Sequence, residues 1–217
     1  MIKNIGGHML TQFKDIFTSR ELKTLASIVQ VGDVTYRELM ETQRPMLGHP
    51  YFADTRGRLR TKLVQMQCEI ESHDPKFPFE FIQREFRCKQ LIPELRNKNV
   101  ILHVARSSAP DLLPYASKYK IRLSNNNHAL QRQMVIDFDE TPPYSNEPYY
   151  AILAFGGRNQ TFSVVQFPEP GYTGIAECLP LPQISLTTEN ENMKVFERKK
   201  AVLKKEFLAH GIEENIS

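Results

Sequence analysis

The spacing of apolar residues changes near residue 95, and this change constrains the fold more than any other feature of the chain. Before it, apolar residues recur at helical spacing, as in Leu59, Leu63, Met66 and Ile70. After it they come in short, β-rich runs, such as residues 100–102. The pattern predicts a helical first half joined to a sheet-forming second half.

Two capping boxes mark helix starts in the first half. Each is a hydroxyl residue followed three positions later by a glutamate, at Thr18 and at Thr35. Residues 31–33 contain Gly32 and predict a break between two short helices. A helical hairpin is therefore expected over residues 20–43, with a DNA-binding helix-turn-helix as the alternative.

Two longer helices are expected further along the chain. One begins at residue 54 or 55 and ends near residue 72, although Gly57 lies in its first turns. The other covers residues 189–209 and carries a narrow apolar seam. We expect the seam to pack on the rest of the chain, with a coiled-coil partner as the alternative. The residues of the seam are Met193, Phe196, Leu203 and Phe207.

The second half predicts strands in series without helical crossovers, which favours an antiparallel sheet. Residues 79–88 fit neither helix nor strand cleanly. We therefore expect an α+β fold with a helical subdomain at 1–92 and an antiparallel sheet of five or six strands with a C-terminal helix at 93–217. These two parts are expected to form one cooperative unit or two docked lobes. The predicted strands are 98–105, 119–123, 133–138, 149–155, 160–167 and 173–179.

Composition limits the class of protein. With 217 residues, 41% hydrophobic and 24% charged, the chain has enough apolar residues for a core and predicts a soluble protein. No apolar run approaches the ~18 residues that a membrane helix needs, and the first residues lack the apolar region of a signal peptide. Three cysteines without paired spacing predict free thiols in a reducing compartment. A cytoplasmic protein with no membrane partner is expected.

A basic cluster on the third predicted helix is the strongest candidate site. Arg56, Arg58, Arg60 and Lys62 place four positive charges within seven residues, in the part of the chain that carries the whole net charge of +3. On a helix, Arg56 and Arg60 share one flank of the apolar stripe. Cations in a first turn oppose the helix dipole, which favours a solvated helix face unless an anion such as nucleic-acid phosphate is bound or the helix starts later. The alternatives are a solvated helix face and a protein partner.

A second basic segment lies in the predicted strand 119–123. Strand alternation would place Lys118, Lys120 and Arg122 on one side and Tyr119 on the other. This arrangement could bind nucleic acid, but the tyrosine lies on the wrong side for stacking. The competing interpretation is an edge strand protected by its lysines.

Catalytic motifs are weak. Asp137 and Asp139 would lie on one face of a strand and could hold a divalent metal for phosphodiester chemistry. The sequence lacks a Glu-x-Lys on a following strand to complete such a nuclease site. No cysteine and histidine spacing suits zinc, and no cofactor motif is found. We therefore expect no catalytic residue, no metal and no cofactor, and a strand ending in an acidic turn at these aspartates.

Residues 95–182 carry the run Asn99–Ala105, the strand Tyr150–Gly157 and the turn Phe167–Gly171. This pattern of short runs resembles that of small α+β proteins of bacteria and their phages, to which no activity is attached. The resemblance implies a helical start followed by an antiparallel sheet, and it implies no function.

The sequence therefore favours a non-catalytic binding protein whose partner is DNA, RNA or another protein. Its expected contact residues are the two basic segments, and whether they share a face decides if they form one footprint. Two alternatives remain: a metal-dependent nuclease that uses Asp137 and Asp139, and a protein-interaction adaptor or homodimer that docks through the C-terminal helix.

Overall fold

The structure, a computed structural model, describes residues 16–86, 89–130, 147–157, 161–183 and 190–213. In this part of the chain a helical N-terminal region precedes a six-stranded sheet, and one helix follows the sheet. The α+β class is therefore confirmed. The elements are α1 (Ser19–Thr42), α2 (Arg44–Leu47), α3 (Ala53–Ser72), β1 (Glu80–Phe86), β2 (Gln90–Arg96), β3 (Val100–Ser107), α4 (Lys118–Ser124), β4 (Tyr149–Gly156), β5 (Phe162–Pro168), β6 (Ile175–Pro180) and α5 (Asn190–Glu213), with 3₁₀ turns at Pro50–Phe52, Asn125–Leu130 and Pro170–Tyr172.

Helix α1 is one continuous helix, so the expected break at residues 31–33 and the helix-turn-helix alternative are wrong. The first capping box is confirmed, because Thr18 accepts from the amide of Glu21 and Glu21 from that of Thr18. Gly32 lies within the helix because α3 passes very close there. A Cβ on Gly32 would lie 2.7 Å from Cγ2 of Val64. The packing that this approach allows offsets the ~1 kcal/mol that glycine costs a helix.

The apolar seams of α3 and α5 meet each other and α1. Phe196 and Leu203 of α5 are buried in one cluster with Val31 and Leu63, and Phe207 packs against it. The expected packing of the C-terminal helix on the chain is therefore confirmed. This seam is occupied within the protein itself.

The sheet is mixed, which corrects the expectation of a purely antiparallel one. Its strands lie in chain order, and four of the five neighbouring pairs are antiparallel. Strands β3 and β4 are parallel, from Val100 opposite Tyr149 to Ser107 opposite Gly156. A parallel pair needs a long crossover connection. Residues 108–148 form it, and they show no helical periodicity that would have revealed it.

Four predicted strands are confirmed as β3, β4, β5 and β6, and the ambiguous residues 79–88 contain β1. Strand β2 was not expected, because Pro93 and Glu94 interrupt its apolar pattern. The sheet thus begins at Glu80, before the change of period that the sequence shows. The predicted strand 133–138 lies outside the described residues.

The predicted strand 119–123 is wrong, since these residues form helix α4. Ser117 caps this helix, and its hydroxyl accepts a hydrogen bond from the amide of Lys120 at 3.3 Å. Short runs of alternating charge and apolarity fit one helical turn as well as one strand. The local cap decides between them here.

Strand alternation divides the core into two layers. Leu102 and Leu153 face α1 and α3. Ile101 and Ile152 face the other side of the sheet, where they pack with Leu123 of α4. Helices α3 and α4 therefore cover opposite faces of the sheet.

Two of the three cysteines lie in the described residues, and both are free thiols. Cys68 is fully buried and Cys178 is half-buried. Burial raises the pKa of each thiol. In the same part of the chain, every helix is too short or too polar to cross a membrane.

Candidate functional site

The carboxyl ends of the parallel strands β3 and β4 meet the first turns of α3. Arg106 shares the parity of Leu102 in β3, so its side chain points to the helical face of the sheet. At the end of β4, the carbonyl oxygens of Gly156 and Gly157 accept hydrogen bonds from Arg60 at 3.4 and 3.1 Å. Residues that are 96 and 97 positions apart in sequence therefore come together at this end of the sheet.

A buried ion pair connects α1, α3 and β4 at this place. Nε and Nη2 of Arg60 donate to the two carboxylate oxygens of Asp33 at 2.6 and 2.5 Å. Both side chains are less than a tenth exposed. The Arg60 guanidinium also lies over the ring of Phe155, at 5.9 Å from its centroid. Arg60 thus positions three elements and directs its charge into the protein.

Gly57 makes room for Arg106. A Cβ on Gly57 would collide with Nη1 of Arg106, whose guanidinium lies against this turn of α3. The glycine that weakens the helix pattern in the sequence therefore has a local role. It lets a cation from the sheet approach the helix surface.

A cleft of about 490 Å³ opens beside these residues. Its walls come from α1, the start of α3, and the ends of β3 and β4. A second cavity of about 310 Å³ shares Asp33, Arg37 and Thr161 with it, so the two form one groove. The residues that line the larger cavity are Asp33, Tyr36, Arg37, Ala53, Arg56, Gly57, Arg60, Arg106, Gly157 and Thr161. We call this the arginine cleft.

Three of its four arginines have no carboxylate partner among the described residues. Within the described part of the chain, the Arg37 side chain donates only to the backbone oxygen of Asp33, at 3.5 Å. Arg56 donates to the backbone oxygen of His49 at 3.4 Å, and its Nε is buried with no partner in the described part of the chain. The side chain of Arg106 makes no hydrogen bond or ion pair with described residues. Because Asp33 is used by Arg60, three positive charges in the cleft remain uncompensated by these residues.

The start of α3 adds to this positive potential. Its N-cap residue, Phe52, offers no side-chain hydrogen bond to the first amides. A helix N-terminus carries partial positive charge and attracts anions. The cleft therefore combines three guanidinium groups with the positive end of a helix dipole.

The structure separates the four basic residues predicted on α3. Arg56 and Arg60 line the cleft, as their shared helix face predicts, but Arg60 is paired with Asp33. Arg58 is exposed and lies outside the lining. Lys62 is exposed and donates to the carbonyl of Leu91 at 3.2 Å.

The second basic segment does not form the expected stripe. On helix α4, Lys118 and Arg122 lie four residues apart on one side, and Lys120 lies on another. Lys120 donates to the carbonyl of Tyr115 at 2.8 Å, and burial lowers its pKa. Because α3 and α4 cover opposite faces of the sheet, the two basic segments do not share a footprint.

Asp137 and Asp139 lie outside the described residues. In the part of the chain that is described, no group of three or more histidine, cysteine, aspartate or glutamate side chains could hold a metal ion.

The opposite face of the sheet holds a second polar cluster, centred on Glu94 of β2. The Glu94 side chain is fully buried, and it accepts hydrogen bonds from four neighbours. His103 Nε2 lies 3.2 Å from it and His103 Nδ1 lies 3.1 Å from the hydroxyl of Tyr150. The four neighbours of Glu94 are Arg84, Arg96, His103 and Tyr119.

This network is satisfied internally. Burial by itself would raise the pKa of Glu94, but the hydrogen bonds from its neighbours outweigh burial and hold that pKa well below its usual range. Hydrogen bonding to Glu94 and burial raise the pKa of Tyr119, with burial the larger cause. His103 is buried, and both of its ring nitrogens lie within hydrogen-bond distance of a partner. The buried charge of Glu94 is neutralised by two arginines, so the cluster serves the fold.

Sequence reasoning missed Arg37 and Arg106 as cleft residues. Arg106 is the last charged residue of β3. A charged residue at the end of an apolar strand is a signal that the sequence shows, and it could have indicated a site residue. Arg37 lies in the segment that the sequence places in a separate second helix. Continuity of α1 is what brings it beside Asp33.

Comparisons with family models, with curated proteins and with solved structures found no match for this chain. The resemblance of residues 95–182 to small bacterial and phage proteins therefore stays a prediction. The fold and the arginine cleft define a class in physical terms: an α+β protein with an arginine-rich groove at the ends of two parallel strands.

Proposed function

We propose that the protein is a non-catalytic binding protein whose arginine cleft holds phosphate groups of a nucleic-acid backbone. The single observation that supports this most is the set of three cleft arginines, Arg37, Arg56 and Arg106, without carboxylate partners among the described residues. Guanidinium groups present parallel N–H donors that match phosphate oxygens. Arg56 Nε is buried and has no hydrogen-bond partner among the described residues, so this donor is not used by them.

Electrostatics favours an anion over other ligands. Arg56 lies at the positive end of the α3 dipole, and the acidic residue of this first turn, Asp54, lies outside the cleft lining. The walls of the cleft carry four arginines against one aspartate, which leaves an excess of three positive charges. A volume of about 490 Å³ fits a few phosphate groups with their sugars and excludes a folded domain.

Arg60 has a positioning role in this proposal, because its guanidinium already binds Asp33 and two backbone carbonyls. Arg58 and Lys62 lie on the exposed flank and contribute at most long-range attraction. The segment Lys118, Lys120 and Arg122 lies on the other face and is not part of the proposed site.

The experiment is a salt titration of binding by fluorescence anisotropy, with a labelled single-stranded oligonucleotide. Three phosphate contacts give a slope of log K against log salt of about −2, so affinity falls roughly 20-fold between about 50 and 200 mM salt. Arg56→Gln and Arg106→Gln are each expected to reduce that slope by about 0.7. Arg58→Gln is the matched control, because it removes the same charge from the same helix outside the cleft.

Absence of binding at about 50 mM salt would overturn the proposal. Equal losses in the Arg58→Gln and Arg56→Gln variants would also contradict it, since general charge and not the cleft would then be responsible.

A further inference from the structure

An exposed aromatic pair lies immediately before the helix whose first turn lines the arginine cleft. Tyr51 is 88% exposed, and its ring lies 5.1 Å from that of His49, with the two planes 32° apart. The backbone of this turn is fixed, because the Phe52 amide donates to the His49 carbonyl at 3.0 Å. Exposed single aromatic residues are common and need no ligand by themselves.

The connection to the cleft distinguishes this pair. Nη2 of Arg56, a cleft arginine, donates to the carbonyl oxygen of His49 at 3.4 Å. Ala53, two residues after Tyr51, lines the cleft. The aromatic rings are therefore held at the rim of a phosphate-attracting groove by one of the groups that would bind the phosphate.

We infer that the His49–Tyr51 pair is a stacking platform for a nucleobase whose phosphate lies in the arginine cleft, so that the ligand is single-stranded nucleic acid. The inference rests on the proposed function and deepens it. Proteins that bind single strands combine a positive groove with aromatic rings on which bases stack. In a duplex the base faces are already stacked on each other, so a duplex cannot use this platform.

The platform also supplies the aromatic residue for stacking that the sequence did not place beside a basic segment. The only aromatic residue expected near a basic segment was Tyr119, which lies in the Glu94 cluster and is not available. Tyr51 belongs to a segment between two helices, where it stands between Pro50 and Phe52. Its relation to the basic cluster is visible only once Arg56 and His49 are in contact.

The test compares two probes of equal length, an oligothymidylate and an abasic deoxyribose-phosphate oligomer of about ten nucleotides. Both carry the same phosphates, and only the first carries bases. The wild-type protein is expected to bind the oligothymidylate about 5- to 150-fold more tightly than the abasic oligomer. Tyr51→Ala should remove most of this difference and leave the abasic affinity unchanged, whereas Tyr51→Phe should keep it.

Tyr115→Ala is the matched control. Tyr115 is 94% exposed and lies on a segment of the opposite face of the sheet. Equal binding of both probes by the wild type, or an oligothymidylate affinity of Tyr51→Ala equal to wild type, would overturn the stacking inference while the phosphate proposal stands. Failure of both probes to bind would instead overturn the proposed function. Tighter binding of a duplex than of the single strand would also contradict the platform.

Discussion

Substituting Gly57 by alanine should weaken ligand binding and at the same time raise the stability of the fold. The new Cβ would occupy the place of Nη1 of Arg106, and the flexible guanidinium would move out of the cleft. The Arg106 guanidinium makes no hydrogen bond with the described residues, so its displacement costs the fold little. Alanine in a helix interior is favoured over glycine by about 1 kcal/mol, which raises the melting temperature of a chain this long by about 2–4 °C.

The affinity for the ligand should fall, although the melting temperature rises. Loss of one charge-assisted contact to phosphate weakens the affinity for a single-stranded oligonucleotide about tenfold. The slope of log K against log salt should fall in magnitude by about 0.7. The assay pairs thermal unfolding, followed by circular dichroism, with anisotropy titrations on the same protein samples.

Arg106→Gln supplies the control for this prediction, since it removes the same guanidinium without changing the helix. It should show the same loss of affinity and no rise in melting temperature. The double variant should bind no more weakly than either single variant, because both act on one group. Wild-type affinity in a well-folded Gly57→Ala protein would refute the assignment of Arg106 to the site, and a strongly destabilised variant would refute the described contact at Gly57.

Two further predictions concern the polar pairs that support the fold. Asp33→Asn should leave the buried Arg60 guanidinium without its counter-charge, which costs about 3–5 kcal/mol; urea unfolding should show it, and an unchanged midpoint would contradict the bridging role of the pair. Glu94 has a lowered pKa in the folded protein, so its contribution is present above the unfolded pKa of about 4.3 and is lost as the pH falls below it. Glu94→Gln should therefore be less stable than wild type at neutral pH, and the difference in unfolding free energy should shrink as the pH falls towards about 2. A difference that is independent of pH would show that the charge of Glu94 does not matter.

Local signals in the sequence predicted local structure well. The hydroxyl of Thr18 and the carboxylate of Glu21 are three residues apart, and this is enough to specify the start of α1. The interruption at Gly32 could not be judged locally, because the reason for that glycine is Val64 on another helix. In the same way, the pattern of residues 118–122 fits a helix as well as a strand, and the cap at Ser117 favours the helix.

The sequence predicted some of the cleft residues and not others. Arg56 was expected to share one helix flank with Arg60, and both residues line the cleft, while the contact of Arg56 with phosphate stays a proposal. Arg60 looked identical to it in the sequence, yet a contact with Asp33, 27 positions away, removes its charge from the surface. Arg106 joins the site only through the parallel pairing of β3 with β4, and no spacing along the chain encodes that pairing.

That parallel pairing also has a consequence for the order of folding. Strands β1 to β3 and β4 to β6 each form a series of antiparallel neighbours, so most of the sheet can form from contacts that are close in sequence. Joining the two series at β3 and β4 requires closure of the long connection 108–148, and closing a loop of that length costs more entropy than forming a hairpin. The arginine cleft lies at the ends of these two strands and is complete only after they have paired. Ligand binding would therefore report that β3 and β4 have paired, a long-range step that the content of secondary structure alone does not reveal.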